Sequence, residues 1–346
     1  MASKSREERE RVFGANSEDA LASTAILATA FDLEGQWNEA ENLFLQVIEH
    51  QRVKLDEDDP ELLKSIENLA ETYWKQGRQE EAEKLTVKVL SLRKRRLGEN
   101  HPDTLTSITN LAATYWIKGR WKEAEKLQVQ VINTRKIKLG EDHPHTLEGM
   151  ASLAWTYWNM NRWEEAEMLQ VRVMRTRKIK LGEDHPHTLE SMASLAWTYW
   201  HMDRWEEAEL LFEPVMKARK TKLGDNHPDT LETMANLAST YSSQGQFEEA
   251  KKLQQQVMES RRTKLGDAHP DTLTAMASLA STLSELGRYE EADQLFTQIV
   301  QKREICLGEN HPDTLTSMAG LGSEYGKQHG GKRLRKFWSG WWRRAT

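Results

Sequence analysis

The sequence has little cysteine, little proline and no long hydrophobic run. Cys306 is the one cysteine in 346 residues, which excludes a disulfide framework and any metal site built from several cysteines. It is also typical of a reducing compartment such as the cytoplasm. No stretch approaches the roughly 18 uncharged apolar residues that a membrane span needs. The opening residues, MASKSREERERVFG, are charged throughout, which argues against a secretory signal.

Charge is plentiful but unevenly distributed. The chain carries 48 Lys and Arg against 54 Asp and Glu, a formal net charge of −6. Residues 331–346 contain six basic residues and no acidic one, so residues 1–330 carry −12. An acidic body with a basic end is not the pattern of a general nucleic-acid-binding protein, whose basic residues cover the binding face.

The strongest feature is an internal repeat of 42 residues. Six His-Pro pairs mark it, from His101-Pro102 to His311-Pro312, and Asp59-Pro60 continues the series towards the N-terminus. We therefore divide the chain into a charged leader, seven full repeats, a partial repeat and a basic tail. The segments are 1–16, then 17–58, 59–100, 101–142, 143–184, 185–226, 227–268 and 269–310, then 311–327, and finally 328–346.

Each repeat is predicted to be a helical hairpin. In 101–142, Pro102 suits the first position of a helix, because its missing N–H would be unpaired there anyway. Residues 105–115 carry an apolar stripe at helical spacing, and Gly119 supplies the left-handed residue that ends the first helix. We expect a helix A of about 16 residues and a helix B of about 19 in each unit, with no strand. The predicted fold class is all-α, a solenoid of helical hairpins.

These residues resemble a known family. Leu111, Ala112, Tyr115, Gly119 and Ala124, with the bulky Trp121, are similar to the tetratricopeptide repeat (TPR) signature. The 42-residue period and the linker LGENHPDTL resemble the longer variant of kinesin light chains, which also forms arrays in NB-ARC and NACHT receptors. The resemblance covers residues 17–327. It implies a right-handed superhelix that binds an extended peptide or partner protein on its concave, helix-A face.

Tryptophan is the most informative residue type, and its phase within the repeat separates three classes. The tryptophans that begin helix B are expected to be core: Trp37, Trp121, Trp163 and Trp205. Those that follow the signature tyrosine lie between the packed and open faces: Trp74, Trp116, Trp158 and Trp200. Trp155 and Trp197 fall about 150° from the packed stripe at 100° per residue. With Trp158 and Trp200 they would form a four-tryptophan binding patch, the alternative being burial against a neighbouring helix A.

The predicted groove is acidic as well as aromatic. Its other candidate residues are Asn110, Glu148, Glu190, His201 and Glu232. The carboxylate clamp of chaperone-binding TPRs needs Lys, Arg and Asn on this face, and those residues are mostly missing, so a chaperone tail is a poor ligand. A basic peptide with aromatic residues is the predicted partner, because Arg and Lys engage carboxylates and indole faces together. The basic clusters at the ends of helix B are interpreted as complementing the helix dipole.

The tail is rich in arginine and tryptophan and leaves three interpretations open. Its candidate residues are Arg335, Phe337, Trp338, Trp341 and Trp342. They could cap the last hairpin, contact a membrane surface, or occupy a TPR groove of the same or a second chain. No catalytic residue, cofactor or metal site is predicted. The sequence thus indicates a non-catalytic, cytoplasmic scaffold or adaptor; the alternatives are a membrane-recruited adaptor and the detached sensor array of an NB-ARC-type receptor.

Overall fold

The structure, a computed structural model, describes residues 18–329, so the charged leader and residues 330–346 of the basic tail lie outside the described residues. Within 18–329 the chain forms fifteen α-helices and no strand. Their bounds in chain order are α1 Glu18–Leu33, α2 Trp37–Lys54, α3 Pro60–Lys75, α4 Gln79–Leu97, α5 Pro102–Ile117, α6 Trp121–Leu139, α7 Pro144–Asn159, α8 Trp163–Leu181, α9 Pro186–His201, α10 Trp205–Leu223, α11 Pro228–Ser243, α12 Phe247–Leu265, α13 Pro270–Glu285, α14 Tyr289–Leu307 and α15 Pro312–His329.

The odd-numbered helices are the predicted helices A and the even-numbered ones the helices B. The prediction of an all-α array of helical hairpins is confirmed, with the expected lengths of 16 and 19 residues in repeats 59–310. The chain divides into two compact units, the first ending at Leu169 and the second starting at Gln170, inside α8. Each unit is described by itself below.

The His-Pro pairs start the helices A through a cap that the sequence analysis did not predict. His101 is extended and its ring Nδ1 accepts a hydrogen bond from the N–H of Asp103 at 3.2 Å, while Pro102 takes the first helical position. The histidines of the other five pairs cap their helices in the same way. Asp59 replaces the ring with a carboxylate, which accepts from the N–H of Glu61 at 2.9 Å. The linker histidines therefore satisfy free N–H groups at helix starts.

The hairpin turns need a residue in the left-handed conformation. Gly119 has φ +70°, and Asn161 and Asp203, which stand at the same place in the next two repeats, have φ +56° and +57°. Both residue types adopt this conformation more readily than other non-glycine residues. The predicted role of Gly119 is confirmed, and Asn161 and Asp203 take the same role in their repeats.

The core of each hairpin comes from the predicted stripe of helix A and one face of helix B. In the first unit Leu105, Ile108 and Leu111 are buried with Val131 of α6. In the second unit Ala196 has no exposed surface and packs in a cluster with Phe212 and Leu237. Burial of this apolar surface is the main stabilising contribution to such a stack.

At three hairpin turns of the first unit, an arginine stacks on the tyrosine of its own repeat and pairs with a glutamate of the preceding repeat. The guanidinium of Arg120 lies 4.1 Å from the centre of the Tyr115 ring, and its Nη1 donates to Glu83 of α4 at 2.8 Å. Hydrogen bonds from Lys118 and Arg120 lower the pKa of Glu83 below its ordinary value, although partial burial opposes this. Arg78 and Arg162 make the equivalent contacts in their repeats. These ion pairs couple consecutive hairpins.

The tryptophans that begin helix B are not core, contrary to the prediction. The Trp37 side chain is 38% exposed, and Trp121, Trp163 and Trp205 are half-buried. All four do begin their helices as predicted. The first residue of helix B stands beside the hairpin turn, at the end of the two-helix unit, so protein covers only part of the indole. The small residue three positions later, such as Ala124, is the one that is fully buried.

Candidate functional site

The first unit contains a cavity of about 680 Å³ between α5, α6 and α7. Helices α5 and α7 are the helices A of two consecutive repeats, and α6 is the helix B between them. The volume falls within the range of about 300–1,000 Å³ that is usual for binding sites of small ligands and side chains. The cavity is therefore large enough to hold a side chain or a small ligand between two consecutive helices A.

Aromatic and aliphatic side chains form much of the cavity wall. Trp116 and Ile117 contribute from the end of α5, and Trp116 is 37% exposed. Trp155 contributes from α7 and is half-buried. Its ring meets Trp158 edge-on, with centroids 5.8 Å apart and planes at 65°. A wall of this kind offers apolar contact area to a ligand without closing the site to solvent.

Polar groups stand at defined places in this cavity. Arg135 of α6 donates from Nη1 to the main-chain oxygen of His145 at 3.0 Å. Burial lowers the pKa of Arg135 from its usual value, and the nearby Glu148 opposes that shift. The Glu148 side chain is 70% exposed and lies 3.4 Å from Nδ1 of His145. The cavity thus combines a partly desolvated cation with a solvated carboxylate.

A smaller cavity of about 300 Å³ lies between the preceding repeat and α5. Its lining includes Lys64, Trp74 and Asn110, and Ala113 and Ile117 line both cavities. Asn110 and Trp74 are exposed. The two cavities therefore neighbour each other along the helix-A face of the first unit.

The second unit carries an aromatic cluster on α9. Trp197 and Trp200 stack with centroids 5.1 Å apart and planes at 4°, and the ring of His201 meets both edge-on. Burial lowers the pKa of His201. Both tryptophans pack against the buried cluster around Ala196 and Phe212. Trp197 therefore contributes to packing as well as to the partly exposed surface of this unit.

The structure distributes the predicted site residues over several places. Trp116, Glu148 and Trp155 line one cavity, and Trp158 contacts Trp155. Asn110 lines the neighbouring cavity. In the second unit Trp197, Trp200 and His201 form one cluster, and Glu190 and Glu232 are exposed on α9 and α11. The two tryptophan pairs belong to different units. The five tail residues lie outside the described residues.

Arg135 is the site residue that sequence reasoning did not identify. The arginines near the ends of helix B were interpreted only as complements to the helix dipole. A sharper signal was available, because one arginine recurs every 42 residues from Arg93 to Arg303. A residue conserved in phase across six repeats would have indicated a specific contact rather than a general charge.

Over residues 18–329 no group of three or more His, Cys, Asp or Glu is arranged to hold a metal ion. None of the helices there combines the length and the apolar character that crossing a membrane requires.

Comparison with known proteins gives a consistent family. Two family models described as tetratricopeptide repeat match most of the chain. One matches residues 21–94, 61–137 and 108–178, and the other matches 188–229, 230–271 and 272–313. None of the curated proteins compared with the sequence matches it.

Solved structures extend the comparison. Nearly identical TPR-like repeats from Podosopora anserina, designated a kinesin light chain, are 30% identical at a TM-score of 0.54; the match covers 59% of this chain and 96% of theirs. A STAND protein with a tetratricopeptide repeat sensor, from Pyrococcus horikoshii, is 16% identical over 87% of this chain and 44% of its own, with a TM-score of 0.67. The quorum sensor NprR from B. thuringiensis is 14% identical over 87% of this chain and 82% of its own, with a TM-score of 0.63. The last two show the fold alone.

The repeat signature, the stacked hairpins and the matches to family models agree. The chain belongs to the tetratricopeptide repeat family, in its kinesin-light-chain-like form.

Proposed function

We propose that the protein is a non-catalytic scaffold that binds an extended peptide segment of a partner protein along its helix-A face. The observation that carries this proposal is the cavity of about 680 Å³ between two consecutive helices A, walled by Trp116 and Trp155. Tryptophan is the residue type most enriched among the side chains that dominate binding energy. Membership of the TPR family supports a role in protein interaction.

The position of Trp155 supports binding over packing. Most repeats have a small or polar residue there, and Thr29, Glu71, Ala113 and Ser281 are all exposed. A hairpin therefore closes without a tryptophan at this place. A large aromatic side chain that lines a cavity and is not needed for the core is well suited to contact a ligand.

The exposed carboxylates bear on the charge of the partner. Glu148, Glu190 and Glu232 are exposed, each on the helix A of its own repeat. A partner with Lys or Arg near aromatic residues would find both carboxylates and indole faces. We infer a basic, aromatic-containing segment as the preferred partner, with the chain's own tail as one source of such a segment. The lone exposed Cys306 is consistent with action in the reducing cytoplasm.

The test is a peptide selection followed by affinity measurement. A random peptide library displayed on phage is selected on the full-length protein, and the enriched peptides are measured by fluorescence polarisation. Trp155→Ala should weaken their binding by about 30-fold or more, which corresponds to an anchor worth about 2 kcal/mol.

A matched control separates loss of the site from loss of any tryptophan. Trp37→Ala removes a partly exposed indole from the same unit but outside the cavity, so it should leave the affinity unchanged. Equal affinities for the wild type and Trp155→Ala would contradict the proposal. The proposal would also be contradicted if selection on the wild type enriched no peptides beyond those enriched by selection on the Trp155→Ala variant.

A further inference from the structure

From α4 to α14, one arginine near the end of each helix B reaches into the following repeat. Its Nη1 donates to a main-chain oxygen ten residues further on, at the start of the next helix A. In the first unit Arg93 donates to Asp103 at 3.1 Å and Arg135 to His145 at 3.0 Å. Arg177, Arg219, Arg261 and Arg303 make the same contact in the second unit. The contact is therefore a standard part of this repeat.

Most of these arginines have a second acceptor. A hydroxyl fourteen residues further on accepts from Nη1 of Arg93, Arg177, Arg219 and Arg303 at 2.7–2.8 Å. These hydroxyls belong to Ser107, Ser191, Thr233 and Ser317. At Arg261 the corresponding residue is Ala275, which is buried and has no hydroxyl. A guanidinium held against the next helix thus finds a side-chain hydroxyl in four of the six repeats.

Arg93 also has a carboxylate. Its Nη1 and Nη2 donate to Oε1 and Oε2 of Glu67 at 2.6 and 2.8 Å, a bidentate pair. The side chains of Arg93 and Glu67 are only 9% and 12% exposed. This pair shows that a carboxylate on a helix A can accept two hydrogen bonds from the guanidinium inside the stack of repeats.

Arg135 lacks both partners. One period after Glu67 the residue is Thr109, and one period after Ser107 it is Gly149. Within the part of the chain that the structure describes, Arg135 makes one hydrogen bond, to the main chain of His145. Thr109, Arg135 and Gly149 all line the cavity of about 680 Å³. The space that the missing groups would fill is therefore open to a ligand.

We propose that this cavity binds a carboxylate of the partner peptide, which pairs with Arg135 as Glu67 pairs with Arg93. The proposal rests on the proposed function and specifies one of its contacts: an Asp or Glu side chain next to an apolar residue that packs on Trp116 and Trp155. Such a carboxylate can coexist with basic residues elsewhere in the peptide.

The physical setting favours the pair. Burial disfavours the charged form of Arg135, so an arriving anion gains more from it than from a solvated cation. Glu148 lines the same cavity, but its carboxylate is 70% exposed, so solvent screens its repulsion. A guanidinium also accepts a carboxylate through two parallel hydrogen bonds, which fixes the orientation of the ligand.

The test compares two probes that differ in one charge. The capped dipeptides acetyl-Phe-Glu-amide and acetyl-Phe-Gln-amide are titrated into the full-length protein, and the amide resonances of Gly149 and Ile132 are followed by NMR. We expect the glutamate probe to bind about 10- to 100-fold more tightly, the range for hydrogen bonds to charged groups. Equal affinities, or no shift at either resonance at millimolar concentrations, would overturn the inference.

Internal substitution provides the sharpest variant. Thr109→Glu restores the carboxylate that Glu67 supplies one repeat earlier, so it should remove the preference for the glutamate probe and raise the melting temperature. Gly149→Ser restores the hydroxyl and should reduce the preference, although its Cβ would lie 3.1 Å from Cγ1 of Ile132 and require that side chain to move. Ala277→Glu is the matched control, because it adds the same charge at the same place in a repeat of the second unit.

The outcomes also separate this inference from the proposed function. Arg135→Gln should abolish the preference for the glutamate probe. If Arg135→Gln folds poorly, Thr109→Glu tests the same site. A persistent preference in Thr109→Glu overturns the carboxylate site. If library-selected peptides bind through Trp155 while both dipeptides bind equally, only the carboxylate site fails. If the selected peptides bind independently of Trp155, the proposed function fails.

Discussion

Breaking the buried ion pair between Arg93 and Glu67 should destabilise the first unit far more than breaking a surface pair would. Both side chains are almost completely covered, and Arg93 makes four hydrogen bonds, two of them to Glu67. Glu67→Ala leaves the guanidinium with the main chain of Asp103 and the hydroxyl of Ser107 as acceptors. Removing one partner of a buried pair typically costs about 3–5 kcal/mol. Since two acceptors remain, we expect a loss of about 3 kcal/mol.

The next repeat contains a natural control for that substitution. Thr109 occupies the position of Glu67 but forms no hydrogen bond with Arg135; its hydroxyl donates to the main chain of Leu105. Thr109→Ala should therefore change the free energy of unfolding by less than about 0.5 kcal/mol, as for a surface substitution. The double variant Glu67→Leu, Arg93→Met should recover most of the loss, because apolar replacement of a whole buried pair is often neutral.

Urea denaturation followed by circular dichroism measures the global effect. Repeat proteins need not unfold in one step, so hydrogen exchange of the α3 and α5 amides should accompany it. We expect faster exchange in both helices of Glu67→Ala and little change in Thr109→Ala. A loss below about 1 kcal/mol, the level of an exposed pair, would refute the reasoning.

Three further predictions concern packing, the turns and pH. Ala196→Leu should cost about 1–3 kcal/mol in urea denaturation by overpacking, because Ala196 has no exposed surface; an unchanged midpoint would place the packing face elsewhere. Gly119→Ala should lower the stability by about 1–2 kcal/mol, whereas Asn161→Gly, at the equivalent left-handed position, should not lower it. Equal effects of the two substitutions in thermal melts would contradict this prediction. Burial lowers the pKa of His201, so the folded state binds its proton less readily than the unfolded state, and stability should fall as pH drops from about 6.5 through the lowered pKa. His201→Phe should reduce the dependence of stability on pH between pH 7 and 5. An unchanged slope would contradict this prediction.

The periodicity of the sequence predicted most of the fold. Proline at the first helical position, the apolar stripe of helix A and Gly119 at the turn each have a local physical cause, so the helix bounds follow from single repeats. The assignment of Trp37 to the core was wrong because the phase of a residue on its helix does not report its distance from the end of the hairpin. The exposure of a tryptophan at the start of helix B depends on how far the neighbouring helices extend beyond it.

The candidate site was predicted only in part. Trp116, Glu148 and Trp155 fall on one cavity because their phases all point to the helix-A face. The contribution of Arg135 comes from a helix B, and it depends on two groups that are missing around it, a carboxylate at Thr109 and a hydroxyl at Gly149 of the next repeat. Such a site becomes visible only when one repeat is compared with the next in three dimensions. The stacking of Trp197 on Trp200 likewise depends on side-chain rotamers, which helical phase does not determine.

Site-specific crosslinking tests peptide binding at the helix-A face most directly. The photoreactive residue p-benzoylphenylalanine replaces Ala113, which is exposed and lines both cavities of the first unit. The control places it at Met168, an exposed residue of a helix B in the same unit. A library-selected peptide should crosslink from position 113, lose that crosslink in the presence of excess unlabelled peptide, and give none from position 168. Crosslinking from position 168 with none from position 113 would contradict binding on the helix-A face.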